Sequence, residues 1–267
     1  MADVTQSAVS YGYSAVIQPY MPVFYVSFLV TIILTPLMRR LAHHHGVVDD
    51  PDNKRKVHTK PIAYLGGISI FLGWLAGVSV SVFMHPHNNS NATVQIPIGI
   101  LMGAFAVVIF GFLDDVYSLS PKMKLVGQFL AGLCMLLPEI VPMGSHDTDF
   151  LISAGKGPAW MILIDFMNLG YFHGIIQIDH LPHWILLSAP IASGIIAVAL
   201  IVATCNATNL LDGLDGLCSG VTGVMSLGYL ILAIYLAKEG VSQGQALDPV
   251  RISLSLALLG AVMGFLP

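Results

Sequence analysis

Between two long apolar segments the chain reads Asn206-Ala207-Thr208-Asn209-Leu210-Leu211-Asp212-Gly213-Leu214-Asp215-Gly216-Leu217. Two asparagines, two aspartates and two glycines fall within these twelve positions. An uncompensated carboxylate at the centre of a bilayer costs about 2.5–3.5 kcal/mol on insertion scales, so such a cluster belongs at a membrane face or in a polar cavity. We interpret the stretch as one wall of a catalytic site.

The composition indicates a polytopic membrane protein. The mean hydropathy is +0.79, and only 10% of the 267 residues are charged, against about 25% in soluble domains. The net charge of −4 gives no reason to expect a nucleic acid as a partner.

Seven segments are predicted to span the membrane, because a helix needs about 20 mostly apolar residues to cross the hydrocarbon core. They are Val23 to Met38, Leu65 to Met84, Ile96 to Leu113, Leu125 to Val141, Trp184 to Cys205, Leu217 to Ala237, and Ile252 to the chain end. We therefore predict an all-α fold with about seven transmembrane helices in one membrane domain, residues 1–267. Aromatic and β-branched residues around glycines also predict a short external β-hairpin at 168–179.

The distribution of basic residues predicts the orientation. Eight of the 11 lysines and arginines fall in the loops after the first and third spans, and loops rich in these residues stay in the cytoplasm. The N-terminus is then outside. The same orientation puts the acidic and amide side chains of interest on the cytoplasmic face: Asp114, Asp115, Asn209, Asp212 and Asp215.

A second acidic cluster, Gly111-Phe112-Leu113-Asp114-Asp115, directly follows the third apolar run and precedes Ser120-Pro121-Lys122-Met123-Lys124. Neighbouring side chains on a helix point about 100° apart, so the two aspartates cannot chelate one ion symmetrically. We expect one of them to ligate Mg²⁺ while the other takes a proton or orients a lysine. The simpler alternative is that Ser120-Pro121 starts a helix and the lysines anchor it at the interface, and both interpretations can hold together.

Asn209, Asp212 and Asp215 are spaced by three residues, which on a helix puts them on one face. Their oxygen acceptors suit a hard cation such as Mg²⁺, or the hydroxyls and base of a nucleotide.

The loop from Asp49 to Pro61 carries lysines, an arginine and a histidine, which are donors that neutralise phosphate oxygens. The alternative for this loop is an anchor on anionic lipid.

Taken together, these motifs resemble the polyprenyl-phosphate N-acetylhexosamine-1-phosphate transferases, of the glycosyltransferase family 4 type. The resemblance rests on four motifs: Arg55-Lys56-Val57-His58, Leu65-Gly66-Gly67, Gly111 to Lys124, and Asn206 to Leu217. The Arg-Lys-x-His loop resembles the branch that uses UDP-GlcNAc and undecaprenyl phosphate more than it resembles phospho-MurNAc-pentapeptide transferase.

The resemblance implies transfer of GlcNAc-1-phosphate from UDP-GlcNAc to undecaprenyl phosphate, with release of UMP, at the cytoplasmic face of the inner (plasma) membrane. It implies Mg²⁺ as cofactor, with Mn²⁺ as a substitute, and leaves a homodimer open. The implied catalytic residues are Asp114, Asp115, Asp212 and Asp215. The implied metal ligands are Asp115, Asn209 and Asp212. The implied substrate-binding residues are Lys56, His58, Lys60, Lys122, Lys124, Asn206 and Asn209.

Three alternatives remain at this level. One is phospho-MurNAc-pentapeptide transferase activity, the second is a non-enzymatic scaffold of similar topology, and the third is a transporter, which would place its acids mid-membrane near broken helices. Members of the resembled family continue into a loop with a Met-Gly-Asp-x-Gly-Ser motif and a later basic loop containing histidine. We therefore expect this chain to be truncated at its C-terminal end, with weak or absent activity of its own.

Overall fold

The computed structural model describes residues 13–49, 61–83, 96, 98–140, 183–211, 216–242 and 249–266. Apart from short turns and one two-stranded ribbon, these ranges are helical, which confirms the all-α membrane fold. The helices are α1 (Tyr13–Ile17), α2 (Met21–His45), α3 (Gly66–Phe83), α4 (Ile98–Tyr117), α5 (Pro121–Ile140), α6 (His183–Leu211), α7 (Leu217–Ser242) and α8 (Pro249–Phe265). A 3-10 turn, Gln18–Tyr20, links α1 to α2. The hairpin predicted at 168–179 lies outside the described residues.

Each of the seven predicted spans coincides with one of the helices α2 to α8. In the described ranges, four helical stretches are long and apolar enough to cross a membrane: Gln18–His45, Gly66–Phe83, Ile98–Tyr117 and Leu217–Lys238. Among the residues whose side chains are described, α6 and α8 contribute the shorter apolar stretches Ile195–Leu211 and Val250–Phe265, although α6 as a whole has 29 residues. The count of seven spans and the external N-terminus stay predictions.

Four helices extend well beyond the predicted end of their span. Helix α2 continues past Met38 to His45, α4 past Leu113 to Tyr117, α6 past Cys205 to Leu211, and α7 past Ala237 to Ser242. Hydropathy reports where apolar side chains stop, whereas backbone hydrogen bonding continues until a residue ends the helix. For α2 that residue is Gly46, which has the left-handed conformation (φ +70°) typical of a helix C-terminus.

The chain forms two compact units by its internal contacts, one of Met1–Ile96 with Leu211–Pro267 and the other of Pro97–Leu210. In the first unit α2, α3 and α8 contact one another, and α7 packs against α8. Val23, Ser27 and Thr31 recur every four residues on α2 and are completely buried, so they form the face of α2 that looks into this core.

Glycines on α3 and α8 allow the backbones of this core to approach closely. A Cβ added at Gly73 would clash with the hydroxyl of Thr31, and one added at Gly77 would clash with the hydroxyl of Ser27. On α8, a Cβ at Gly260 would lie 2.5 Å from the carbonyl oxygen of Phe24. Small residues at helix contacts are the usual means of close packing between membrane helices, where the lipid is as apolar as leucine.

A short antiparallel ribbon follows α2 and precedes α3. It pairs Val48 with Ala63 and Asp49 with Ile62, and the N–H of Tyr64 donates to the carbonyl of Val47 at 3.3 Å. The ribbon brings together the two ends of the basic segment 50–60, which itself lies outside the described residues. Sequence reasoning did not foresee these strands, because two-residue strands are too short to show an alternating pattern.

In the second unit α4 and α5 form an antiparallel pair. A Cβ at Gly103 of α4 would lie 3.1 Å from the Cβ of Met135, and one at Gly127 of α5 would lie 2.6 Å from the ring of Phe110. Helix α6 meets α5 at Gly132, where an added Cβ would lie 3.1 Å from the side chain of Val198. The polar side chains described next lie at the C-terminal ends of α4 and α6 and at the N-terminal end of α5.

Candidate active site

The turn between α4 and α5 is three residues long and tightly bonded. The N–H of Ser118 donates to the carbonyl of Asp114 at 2.8 Å, and Ser118 has a positive φ of 49°. The carbonyl of Ser120 then accepts the N–H of Lys124 at 3.1 Å, which opens α5 with Pro121 at its first position. Proline fits there because the first N–H groups of a helix have no partner inside it.

Asp114 stabilises this turn with both carboxylate oxygens. Oδ1 accepts the N–H of Leu119 at 3.1 Å, and Oδ2 lies 2.7 Å from the ammonium Nζ of Lys124. The two side chains are 25% and 37% exposed, so the pair is partly screened and contributes about 1 kcal/mol or less. Orienting a lysine is one of the three roles considered for this carboxylate pair, and Asp114 makes the matching contact.

Asp115 and Lys122 differ from the half-buried pair of Asp114 and Lys124. Both side chains are exposed, Asp115 on the last turn of α4 and Lys122 on the first turn of α5. On the helix Asp115 points about 100° away from Asp114. The two adjacent aspartates therefore differ in exposure: Asp114 is half-buried and bonds the turn, whereas Asp115 is exposed.

Asn206 and Asn209 lie on the last two turns of α6, and both are exposed. The amide Nδ2 of Asn206 donates to Oε1 of Gln128 on α5 and to the carbonyl of Val202, each at 2.8 Å. Since residues three apart share a helix face, Asn209 lies one turn further along the same face of α6.

Gln128 was missed by sequence reasoning. It lies inside the predicted span Leu125 to Val141, where a lone amide does not attract notice. The available signal was its spacing, since Gln128 follows Lys124 by four residues and therefore shares its helix face. The structure brings together two predicted residues, Asp114 and Lys124, and joins a third, Asn206, to this unpredicted glutamine.

Five predicted site residues lie outside the described residues: Lys56, His58, Lys60, Asp212 and Asp215. The residues that follow their segments are described. A Cβ at Gly66, just after the basic segment, would lie 3.0 Å from the ring of Phe265. One at Gly216, just after Asp215, would lie 4.0 Å from Cδ2 of Leu266. The C-terminal end of α8 thus lies near Gly66 and Gly216, which follow the two segments in the chain.

The donor set suits a hard cation. Asp115 and Asn209 offer exposed carboxylate and amide oxygens, which are the ligands that Mg²⁺ accepts. Across the described ranges, no three histidine, cysteine, aspartate or glutamate side chains come together as a metal site. The third predicted ligand, Asp212, lies outside those ranges, so the assignment of Asp115, Asn209 and Asp212 stays a prediction.

Comparison with known proteins identifies a matching family. Residues 97–267 match the family model described as Glycosyl transferase family 4. This match covers the acidic turn after α4, the whole of α5 and α6, and the stretch from Asn206 to Leu217.

Several curated proteins are similar to most of this chain. A probable undecaprenyl-phosphate N-acetylglucosaminyl 1-phosphate transferase of Bacillus subtilis is 30% identical over 243 residues, which are 91% of this chain and 53% of that protein. A decaprenyl-phosphate N-acetylglucosaminephosphotransferase of Mycolicibacterium smegmatis is 26% identical, over 90% of this chain and 50% of the relative. A phospho-N-acetylmuramoyl-pentapeptide-transferase of Desulforudis audaxviator is 29% identical, over 90% of this chain and 65% of the relative. The chain therefore spans about half to two thirds of the length of these curated relatives.

Proposed function

Since the chain belongs to glycosyl transferase family 4, we propose that it transfers GlcNAc-1-phosphate from UDP-GlcNAc to undecaprenyl phosphate and releases UMP. Transfer takes place at the cytoplasmic face of the plasma membrane and begins a lipid-linked polysaccharide of the cell envelope. The observation that carries the proposal is the charged turn at the end of a helix of membrane-spanning length, where Lys124 is paired with Asp114 beside the exposed Asp115. The name of the Bacillus subtilis relative supports the choice of sugar and lipid.

The chemistry is a substitution at phosphorus. An oxygen of the lipid phosphate attacks the β-phosphorus of UDP-GlcNAc, the bond from this phosphorus to the bridging oxygen breaks, and UMP leaves with that oxygen. Because the nucleophile is already an anion, catalysis depends mainly on neutralising charge and on in-line positioning. The protein needs cations at the phosphates and a firm orientation of both substrates.

The described residues can supply these functions. Lys122 and Lys124 provide ammonium groups for phosphate oxygens, and Asp114 fixes the direction of Lys124 through the contact at 2.7 Å. Asp115 and Asn209, with Asp212, would hold Mg²⁺, which when bound supplies positive charge against the phosphates. Asn206 and Asn209 would hydrogen-bond the nucleotide sugar. Lys56, His58, Lys60 and Asp215 keep their predicted roles in substrate binding and catalysis.

A transfer assay on membranes tests the proposal. Membranes containing this chain alone, or the complete reading frame of its gene, receive radiolabelled UDP-GlcNAc, undecaprenyl phosphate and Mg²⁺. We expect labelled lipid from the complete reading frame and its loss on chelation with EDTA. If the complete reading frame inserts correctly and forms no labelled lipid, the choice of donor or acceptor is refuted, and transfer that persists in EDTA would refute the role of the metal.

A second donor is favoured by one observation. The Desulforudis audaxviator phospho-N-acetylmuramoyl-pentapeptide-transferase matches this chain at 29% identity over 255 residues. UDP-MurNAc-pentapeptide therefore belongs in the same assay as a competitor. If it is transferred at least as well as UDP-GlcNAc, the assignment of the sugar changes while the reaction at phosphorus stays the same.

A further inference from the structure

One face of α5 carries two polar contacts to two different helices. Lys124 reaches Asp114 at the end of α4 at 2.7 Å. One turn further along α5, Oε1 of Gln128 accepts the amide of Asn206 from α6 at 2.8 Å. Residues four apart on a helix are neighbours on its surface, so the two contacts form a continuous polar ladder: Asp114, Lys124, Gln128 and Asn206.

The helices joined by these two contacts differ in how else they are held against α5. Helices α4 and α5 are already joined by the three-residue turn and by close packing at Gly103 and Gly127. Helix α6 meets α5 at the apolar contact of Gly132 with Val198 and at the hydrogen bond of Gln128 with Asn206. An apolar contact allows rotation and sliding, whereas a hydrogen bond between two amides fixes direction and register.

We propose that Gln128 is a positioning residue for the sugar-nucleotide donor. It holds Asn206, and with it the face of α6 that carries Asn209, in register with the paired Lys124. This inference rests on the proposed function, since it assigns to Gln128 the alignment of the donor-binding amides on α6 with the phosphate-binding lysine on α5.

The expected kinetic signature is specific. Gln128→Leu keeps the size of the side chain and removes the acceptor of the Asn206 amide. The α6 amides bind the donor equally in the ground state and in the transition state. When these amides are misaligned, KM for the donor therefore rises while kcat stays nearly unchanged. We expect KM for the donor to rise about tenfold, which corresponds to one hydrogen bond, and KM for the lipid phosphate to stay within about twofold.

The matched control is Thr204→Val on α6. This change also replaces an exposed polar side chain near Asn206, but the Thr204 hydroxyl donates within its own helix, to the carbonyl of Leu200 at 2.7 Å. Kinetic constants of Thr204→Val close to those of the unmodified protein, together with the shift in Gln128→Leu, would support the proposal. Equal losses in both variants would refute it, because they would indicate a general disturbance of α6.

Two further measurements separate this inference from the proposed function. Each donor, UDP-GlcNAc and UDP-MurNAc-pentapeptide, is tested, and UMP binding is measured directly on the purified full protein. If neither donor is used, the proposed function fails, while weaker UMP binding by Gln128→Leu would still support positioning and unchanged binding would refute it. If Gln128→Leu does not accumulate, Gln128→Glu decides, because glutamate keeps an oxygen acceptor for the Asn206 amide. A donor KM close to that of the unmodified protein would support positioning by this hydrogen bond, and a tenfold rise would refute it.

Discussion

In the first unit α2, α3 and α8 approach one another through glycines and buried hydroxyls, whereas in the second unit α4, α5 and α6 are connected at one end by paired polar side chains. The hydroxyls of Ser27 and Thr31 are buried without a hydrogen-bond partner among the described residues, and they lie against Gly77 and Gly73. Such contacts place oxygen near Cα–H groups, worth about 0.5–1 kcal/mol each. Shape, more than hydrogen bonding, holds this core together.

The second unit also packs closely at glycines, at Gly103, Gly127 and Gly132, but it adds polar contacts between its helices. The side chains that make these contacts are exposed or half-buried, and each contact includes a residue of the candidate site. Groups that must meet a charged substrate cannot be buried in apolar surroundings without losing solvation. The comparison indicates that close packing at small residues holds the helices together, while polar contacts at the helix ends orient the side chains of the candidate site.

The largest expected effect tests whether the catalytic residues lie in the second unit. We expect Asp115→Asn to lower transfer by a factor of about 10³ or more, because a carboxylate ligand of a catalytic metal supports several kcal/mol of charge stabilisation. Initial rates on membranes, normalised to inserted protein, measure the effect. Ser79→Ala on α3, which loses an exposed hydroxyl bonded to its own helix, is the control. Near-normal turnover by Asp115→Asn would remove this residue from the site.

The second effect tests the close packing of α2 against α3 in the first unit. We expect Gly73→Ala to destabilise the protein by about 1–3 kcal/mol, the usual cost of overpacking, because its Cβ would clash with the Thr31 hydroxyl. Thermal unfolding in detergent measures the change. Gly228→Ala in α7, where nothing lies within 4 Å of an added Cβ, is the matched control and should be neutral or stabilising. Thr31→Ala should partly rescue Gly73→Ala, and additive losses would contradict the close contact.

The third effect sharpens the division between the two aspartates. We expect Asp114→Asn to lower kcat/KM only about tenfold, since it releases Lys124 from its fixed direction but leaves an oxygen for the Leu119 N–H. Lys124→Met should cause a loss of similar or larger size. Because the two residues act as a pair, the double variant should lose no more than the worse single variant. Losses that multiply would show that the two side chains act separately.

The smallest effect concerns two backbone conformations, one in each unit. Ser118→Gly should raise stability by about 0.5 kcal/mol, because glycine adopts a positive φ without steric cost. Gly46→Ala should lower it by about 1 kcal/mol at φ +70°, although nothing obstructs the added Cβ. Denaturant or thermal unfolding of both variants checks the opposite signs. Equal signs would mean that side-chain contacts, and not φ, govern these turns.

Apolar runs predicted the helices well, because burial in lipid imposes a composition that can be read without knowing any partner. Spacing also placed the acidic pair near the two lysines, since only a short turn separates them. The contact of Gln128 with Asn206 joins residues 78 positions apart, and the contact of Gly73 with Thr31 depends on how two helices meet. Neither leaves a periodic signal along the chain, so both required the structure.

The four-residue spacing of Lys124 and Gln128 also fixes the relative direction of two contacts made with different helices. Each residue of a helix advances the side-chain direction by about 100°. One residue inserted within α5 between Lys124 and Gln128 would therefore turn the glutamine away from Asn206 while Lys124 still met Asp114, with every functional side chain still present. Changes of chain length in related sequences are accordingly expected outside this turn of α5.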